Sequence, residues 1–322
     1  MRIRVATYNI RKCVGLDWKR KPERVVGVID ELGADIVVLQ EADRRFGKRL
    51  AALSHLHLTE THWTPAPLAL HDGGIGWHGN AILVREGIEV EETHRLELPV
   101  LEPRGAVAAD IVADGHRLRI VGAHLGLTGG MRVRQAHRIV EALERLPERP
   151  TIITGDMNNW QHQTGCIAVF ASHFRLVPPQ PTFHATRPVA ALDRIALSGG
   201  IDLIAQGVVR EGEARRASDH LPLWADLEVT AEASSRTAAT DRTGPADRAG
   251  AGSAPSGSAA GRALPGSAAD RALPGSAADR ALSESAADRA LSESAADRAL
   301  SESAADRALS ESAADRAGAG AA

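Results

Sequence analysis

The chain has 322 residues, a formal net charge of -3, 13 His, five Trp and only two Cys. Two cysteines are too few for a disulfide framework or a cysteine-built metal site, and no apolar run approaches membrane-spanning length. MRIRVATYNI enters strand-like sequence at once, with no basic n-region and apolar h-region ahead of it, so a cytoplasmic protein without a secretory signal or integral membrane segment is expected.

Composition divides the chain. From Ala231 onward there is no aromatic residue and no His, only a sequence dominated by Ala, Ser, Gly, Asp, Arg and Leu. A folded domain is expected over residues 1–230, followed by a low-complexity tail, 231–322, too poor in apolar surface to offset the entropy of ordering. Residues 1–230 carry 28 basic and 28 acidic side chains, which excludes the strong basic footprint of a tight nonspecific nucleic-acid binder. After Ser267 the tail repeats every nine residues, as SAADRALPG and then SAADRALSE. A helix turns about 100° per residue, so nine residues would send Leu282, Leu291, Leu300 and Leu309 to alternate sides. No apolar stripe forms, and the repeat implies no protein partner.

In chain order, IRVATYN reads as a strand. Pro22 to Leu32 (PERVVGVIDEL) reads as a helix, with Pro in its first turn and Gly33 after its end. ADIVVLQE is a second strand, and FGKRLAALSHL is predicted helical. Strands follow at NAILV, IEVEETHRLEL, GAVAADIVA and RLRIVGAHL, then an amphipathic helix from Gly130 to Leu146. TIITGD, DRIAL, IDLIAQGVV and LPLWADLEV complete the strands.

One event recurs at the strand ends. Apolar residues run out and a group able to bind metal or phosphate appears: Asn9 after RVATY, Glu41 after DIVVLQ, His124 after RIVGA, Asp156 after TIITG. Asp193 opens DRIAL, and Asp219-His220 precede LPLWADLEV, as required if those strands start at the same edge and run antiparallel. A strand tip can face a cleft while the sheet behind holds it rigid. Taken singly, each residue has an ordinary reading as a cap, a turn or a surface acid; six together point to one site. Glu41, Asp156, Asp219 and the Asn9 amide are hard oxygen donors that suit Mg²⁺ or Mn²⁺ over Zn²⁺. A divalent ion beside a phosphoryl group neutralises charge and polarises a P–O bond. Asp156 would orient or deprotonate the attacking water. His124 and His220 would donate to phosphoryl oxygens or protonate a leaving group, and Asp193 would fix a His tautomer.

TYNIR, LQEAD, GNAIL, GAHLG, TGDMNNW, LDRIAL and SDHLPL occur in the order seen in the endonuclease/exonuclease/phosphatase superfamily, which residues 1–230 resemble throughout. The resemblance implies an α/β fold: a four-layer α/β/β/α sandwich of two packed mixed sheets with the site at one edge. It implies Glu41 as the principal metal ligand, with Asn9 and Asp219 assisting. It makes Asp156 the carboxylate aligning the water, Asn158 the amide gripping the phosphoryl oxygen, His220 the imidazole paired with Asp193, and His124 the second His. Arg104, in EPRGAV, sits where many bacterial members place an Arg, and substrate phosphate binding is expected there.

The chain departs from several subfamily patterns. Thr154 rather than Trp precedes GDMN, unlike 5-phosphatases; His124 rather than Tyr follows its strand, unlike abasic-site endonucleases. Balanced charge and few aromatics disfavour long nucleic-acid tracks. The reading is a Mg²⁺- or Mn²⁺-dependent phosphodiesterase on a small or lipid-derived phosphoester. The alternatives are a DNA or RNA endo- or exonuclease, and a catalytically silent binding module of the same fold. Arg132 and Gln135 are expected at the solvent face or the site's rim, His71, Asp72 and His78 in a mobile loop, His162 and His184 at the surface, and Cys13 and Cys166 as packing residues.

Overall fold

The computed structural model describes residues 1–43, 51–59, 61–99 and 104–230. The tail and its repeats lie outside the described residues, as does the first part of FGKRLAALSHL. The strands are β1 (Arg2–Asn9), β2 (Ile36–Gln40), β3 (Trp63–Pro65), β4 (Ala81–Arg85), β5 (Glu89–Leu96), β6 (Ala106–Ala113), β7 (His116–His124), β8 (Thr151–Asp156), β9 (Arg175–Leu176), β10 (Asp193–Leu197), β11 (Ile201–Val208) and β12 (Leu223–Val229). The helices are α1 (Pro22–Glu31), α2 (His55–Leu58), α3 (Gly129–Glu144), α4 (Cys166–Ala171) and α5 (Ala214–Ala217).

The strands make two six-stranded sheets, ordered β11-β12-β1-β2-β4-β3 and β5-β6-β7-β8-β10-β9. Each has one parallel pair, β1 with β2 and β7 with β8; all its other pairings are antiparallel. The parallel pairs are joined by α1 and α3, since a parallel connection needs a crossover long enough to return to the starting edge.

Alternation along the strands sorts side chains into three apolar layers. Val5, Val38 and Ile82 of the first sheet meet Val107, Ile120, Ile152 and Ile195 of the second. Ala6, Tyr8, Val37 and Leu39 face the other way, onto Val25, Val28, Ile29 and Leu32 in and just beyond α1. Val121, Ala123 and Ile153 cover the far side, against Ile139 and Val140 of α3 and Ile167 and Phe170 of α4. Helix, sheet, sheet, helix is therefore the layer order. Burying each of the Val, Leu, Ile and Phe side chains contributes about 1.5–3 kcal/mol, which makes these layers the main source of stability.

Two glycines permit close approach, one between the two sheets and one between paired strands. A Cβ on Gly122 would come within 2.6 Å of Val38 Cγ1 in the opposite sheet. Gly155, with φ +141°, leaves no room at all: a Cβ there would lie 1.9 Å from the Ala123 carbonyl oxygen. The glycine before Asp156 is thus required by the parallel pairing itself.

The structure corrects some local expectations. Residues 51–53 are not helical: Ala51 N–H donates to Gly73 O and Ala52 N–H to Ala42 O, which removes the donors a helix would use. A new helix starts only at α2, where Ser54 and His57 form a reciprocal cap. His55 and His57 therefore lie on one short helix. The α4 helix was not foreseen, because CIAVFA is apolar on all sides and carries no helical period. Arg132 and Gln135 are buried rather than solvent-facing. Gln135 Oε1 accepts from Gly126 N–H at 2.7 Å and its amide donates to Pro99 O, while Arg132 Nη1 donates to Leu127 O at 2.5 Å. Both hold the turn that follows His124. Cys13 and Cys166 are buried free thiols, and burial pushes them up to about 12 and about 11, out of the reactive range.

Gly155→Ala is expected to destabilise the domain by more than about 2 kcal/mol, through a steric clash combined with an unfavourable φ. Denaturant unfolding of the purified variant measures it; a loss within experimental error would mean the β7–β8 spacing is not rigid.

Candidate active site

Strand direction decides what reaches the edge. β1, β2, β7 and β8 end there, delivering Asn9, Glu41, His124 and Asp156; β10 and β12 begin there, delivering Asp193 and the preceding Asp219-His220. In register, Asp156 pairs with His124 on one side and Asp193 on the other.

Asp156 is the hub. Its Oδ2 accepts from Asn9 Nδ2 at 3.0 Å, a hydrogen bond that crosses from one sheet to the other, and its Oδ1 accepts from Asn158 N–H at 2.9 Å. The same Oδ2 lies 3.3 Å from His124 Nε2 and 3.7 Å from His220 Nε2. His220 Nδ1 donates to Asp193 Oδ2 at 2.8 Å, since a carboxylate can only accept, and Thr182 Oγ1 donates to the same oxygen at 2.6 Å. Phe183 lies against the His220 ring at 5.0 Å between centroids.

Arg104 Nη1 contacts His124 Nε2 and donates to Leu125 O at 3.1 Å. A guanidinium has only donors, so His124 meets Arg104 as an acceptor. Asn158, at φ +48°, donates one amide N–H to Leu125 O at 2.9 Å. An amide nitrogen has two hydrogens, so a second donor exists for another acceptor.

The acids expected to ligate metal sit beside Asn9. Ser218 Oγ donates to the Asn9 carbonyl at 2.6 Å and lies 3.3 Å from Asp219 Oδ1. Glu41, at φ +55°, follows β2, and its carbonyl accepts from Lys12 N–H at 3.1 Å. Its carboxylate meets Lys12 Nζ at 3.4 Å, and the Asp219 carboxylate meets Arg11 Nε at 3.7 Å. Arg11 and Lys12 belong to a left-handed turn, Arg11–Cys13, with φ of 46°, 55° and 60°. For ordinary L-residues that costs about 1–2 kcal/mol each. Hydrogen bonds hold the turn: Arg11 N–H to Asn9 Oδ1, Cys13 N–H to Ile10 O and Val14 N–H to Arg11 O.

The structure therefore joins Asn9, Arg104, His124, Asp156, Asn158, Asp193 and His220 in one contact network. It sets Asp219 beside it through Ser218 and Glu41 beside it through the Arg11–Cys13 turn. Oxygen donors only, two of them buried carboxylates, fit Mg²⁺ or Mn²⁺. A separate group, Glu92, His94 and Asp110, has the spacing of metal ligands. Both Asp110 oxygens, however, accept from Arg119, at 2.6 and 2.8 Å, and Arg149 Nε adds a second guanidinium at 3.2 Å. Two guanidiniums already neutralise that carboxylate, so a further cation is disfavoured there.

The sequence profile of the Endonuclease/Exonuclease/phosphatase family matches residues 6–220. The chain belongs to that family. Members are typically metal-dependent phosphoesterases, and the two-sheet architecture is the family's fold. Uncharacterized protein YbhP of Escherichia coli (strain K12) is 31% identical over 166 residues, 48% of this chain and 64% of that protein; the chain thus spans less than two thirds of the curated relatives it matches. Among solved structures, D. rerio TDP2 complexed with a single-strand DNA product superposes with a TM-score of 0.57 at 17% identity, covering 71% of this chain and 99% of that one. The mannosyl-6-phosphatase Bt3783 of Bacteroides thetaiotaomicron VPI-5482 gives 0.55 at 19% identity, covering 70% and 99%. Likeness at that identity is likeness of fold.

Several residues around the candidate site were not singled out from the sequence. Thr182, Ser218 and Phe183 buttress Asp193, Asn9 and His220, and Arg11 and Lys12 face its acids. Asn80, quoted only within GNAIL, is fully buried and donates to Gly105 O at 2.9 Å, fixing the backbone next to Arg104. The SD of SDHLPL and the RK of TYNIRKC were the available signals. Nothing in sequence marked Thr182 or Phe183, which come from an irregular segment.

Burial works against a charged imidazole at His220, but Asp193, Asp156 and Asp219 outweigh it and push His220 up to about 10. A raised folded-state value means that the stability supplied by the imidazolium is complete below about pH 6.5 and is lost as pH rises toward about 10. In chelator, the stability advantage of the wild type over His220→Gln should shrink steadily across that window. Denaturant melts at several pH values test this, and a pH-independent difference would count against it.

Proposed function

We propose that this chain is a hydrolase that uses Mg²⁺ or Mn²⁺ to cleave a phosphoester P–O bond by water attack, as a phosphodiesterase on a small or lipid-derived substrate. The observation that carries the reading is the Asp193–His220 pair meeting Asp156 across from Asn9, with imidazole, carboxylate and amide from both sheets within one hydrogen-bonded cluster. A binding scaffold has no chemical need for that convergence, which costs buried polar groups and backbone strain. Glu41, Asn9 and Asp219 would hold the divalent ion, which supplies charge neutralisation at the phosphoryl group.

The protein's own groups divide the remaining work. Asp156 orients the attacking water, its carboxylate fixed by Asn9 and by the Asn158 N–H. His220, held by Asp193, presents a cationic Nε2 toward the same place and stabilises negative charge on the phosphoryl oxygens. Arg104, oriented by His124 and Leu125 O, and the second amide N–H of Asn158 bind those oxygens and fix the phosphate. The catalytic domain in this reading is residues 1–230, it works in the cytoplasm, and the tail takes no part in the chemistry.

A second reading, a nuclease acting on DNA or RNA ends, is favoured by one feature. Trp160, 42% exposed, packs edge-on at 6.2 Å from Phe183, which itself lies on His220. An exposed ring two residues beyond Asn158 is a surface on which a base could stack.

The full chain with Mg²⁺ or Mn²⁺, assayed against bis-p-nitrophenyl phosphate, phospholipids and plasmid DNA, separates the readings. Turnover should fall by about 10³-fold or more in Asp156→Ala, as when a group that positions the nucleophile is removed. Activity that survives Asp156→Ala would overturn the role given to Asp156, and no activity in the wild type on any substrate would favour the silent binding module. Nicking of plasmid at physiological salt would promote the nuclease. A chain ending at Thr230 is expected to keep full turnover per folded molecule; a large drop would give the tail a role.

A further inference from the structure

Arg11 and Lys12 are unusual in three respects. They occupy left-handed backbone that non-glycine residues seldom adopt, at φ 46° and 55°. Their side chains are largely buried, at 17% and 12% exposure. Each is aimed at one of the two carboxylates assigned above to metal, Lys12 at Glu41 and Arg11 at Asp219. The turn makes this possible: consecutive residues on it reach acids from β2's end and from β12's start. It is also tied down at both its edges, by Lys12 N–H to the Glu41 carbonyl and by Lys21 N–H to the Cys13 carbonyl. Strained backbone that the surroundings hold in place is a signature of a working position.

We propose that Lys12 is an exchangeable cation at Glu41: its ammonium neutralises the carboxylate until a divalent ion takes that place, so Lys12 sets how tightly the site holds metal. Two facts favour exchange over a permanent ion pair. The 3.4 Å separation exceeds the roughly 2.7–2.9 Å of a tight charge-assisted hydrogen bond, so little is lost when the pair opens. The two groups are also of different character. Arg11 is anchored, its guanidinium lying over the Trp18 ring at 4.6 Å and donating to Gly15 O at 3.4 Å. Lysine instead carries a compact charge on a flexible stem, suited to moving aside. The inference rests on the reading of Glu41 as a metal ligand and deepens it: metal affinity is limited by a competitor built into the chain.

The test measures metal binding directly. Mn²⁺ is titrated into the chelator-treated full chain and free Mn²⁺ is followed by electron paramagnetic resonance. The variants are Lys12→Asn and Lys12→Arg, with Lys19→Asn as an exposed control. Asparagine tolerates left-handed backbone, so Lys12→Asn removes charge without added strain. Its Kd for Mn²⁺ should fall about tenfold, the scale expected for removing one like charge beside the ion under partial screening. Lys12→Arg and Lys19→Asn should stay near wild type. Without metal, Lys12→Asn should melt below wild type, and saturating Mn²⁺ should close that gap. An unchanged or weaker affinity in folded Lys12→Asn overturns the inference. Should Lys12→Asn not fold without metal, Lys12→Gln takes its place under the same criterion. Wild type that binds no Mn²⁺ would overturn the metal reading together with this one. Equal binding by wild type and variant removes only the competitor and leaves the phosphoesterase reading standing.

Discussion

The hydrogen bond from Asn9 to Asp156 joins the edges of two separate sheets, and the rest of the site depends on it being possible. Each sheet contributes one parallel pair, and both pairs end on the same side of the sandwich. Close approach of the sheets, permitted by Gly122, lets a short amide on β1 reach a short carboxylate on β8. Neither sheet alone holds the whole cluster. The first has the acids Glu41 and Asp219 with His220; the second has Asp156, Asn158, Asp193 and His124.

Concentrating carboxylates in a buried edge is costly, and the fold answers with cations and donors. His220 carries a proton between Asp193 and Asp156, Arg11 and Lys12 face Asp219 and Glu41, and Thr182 donates to Asp193. Buried charge is tolerable when paired and hydrogen-bonded, and costly when it is not. The polar network and the apolar layers are therefore not independent. Phe183 and the strands around His220 exclude water, and that same exclusion strengthens every charge interaction within.

Much of this was legible in the sequence because strands advertise themselves. Ile, Val and Leu alternate or run together and then stop at a polar residue, so Asn9, Glu41, His124 and Asp156 could be placed at tips from local pattern alone. The antiparallel entry of Asp193 and His220 followed from which side of the apolar run they occupied. Other features depend on tertiary partners and left no local trace. CIAVFA is helical because sheet and α3 surround it, residues 51–53 because their donors bond to Gly73 and Ala42 are not, and Gln135 is buried because Gly126 needs an acceptor. The left-handed turn at Arg11–Cys13 is the sharpest case: Arg-Lys-Cys carries no glycine or asparagine to announce it.

Ser218 Oγ reaches back to the carbonyl of Asn9, and β12 lies between β1 and β11. The first strand thus waits for the last before its own edge is complete. A nascent chain emerging from the ribosome would hold Asn9 and Glu41 early, yet lack His220, Asp219 and the serine that pins Asn9 until synthesis of the domain is nearly finished. A half-made chain therefore lacks the assembled cluster, and the pairing of the first strand with the last adds the long-range contacts that slow folding.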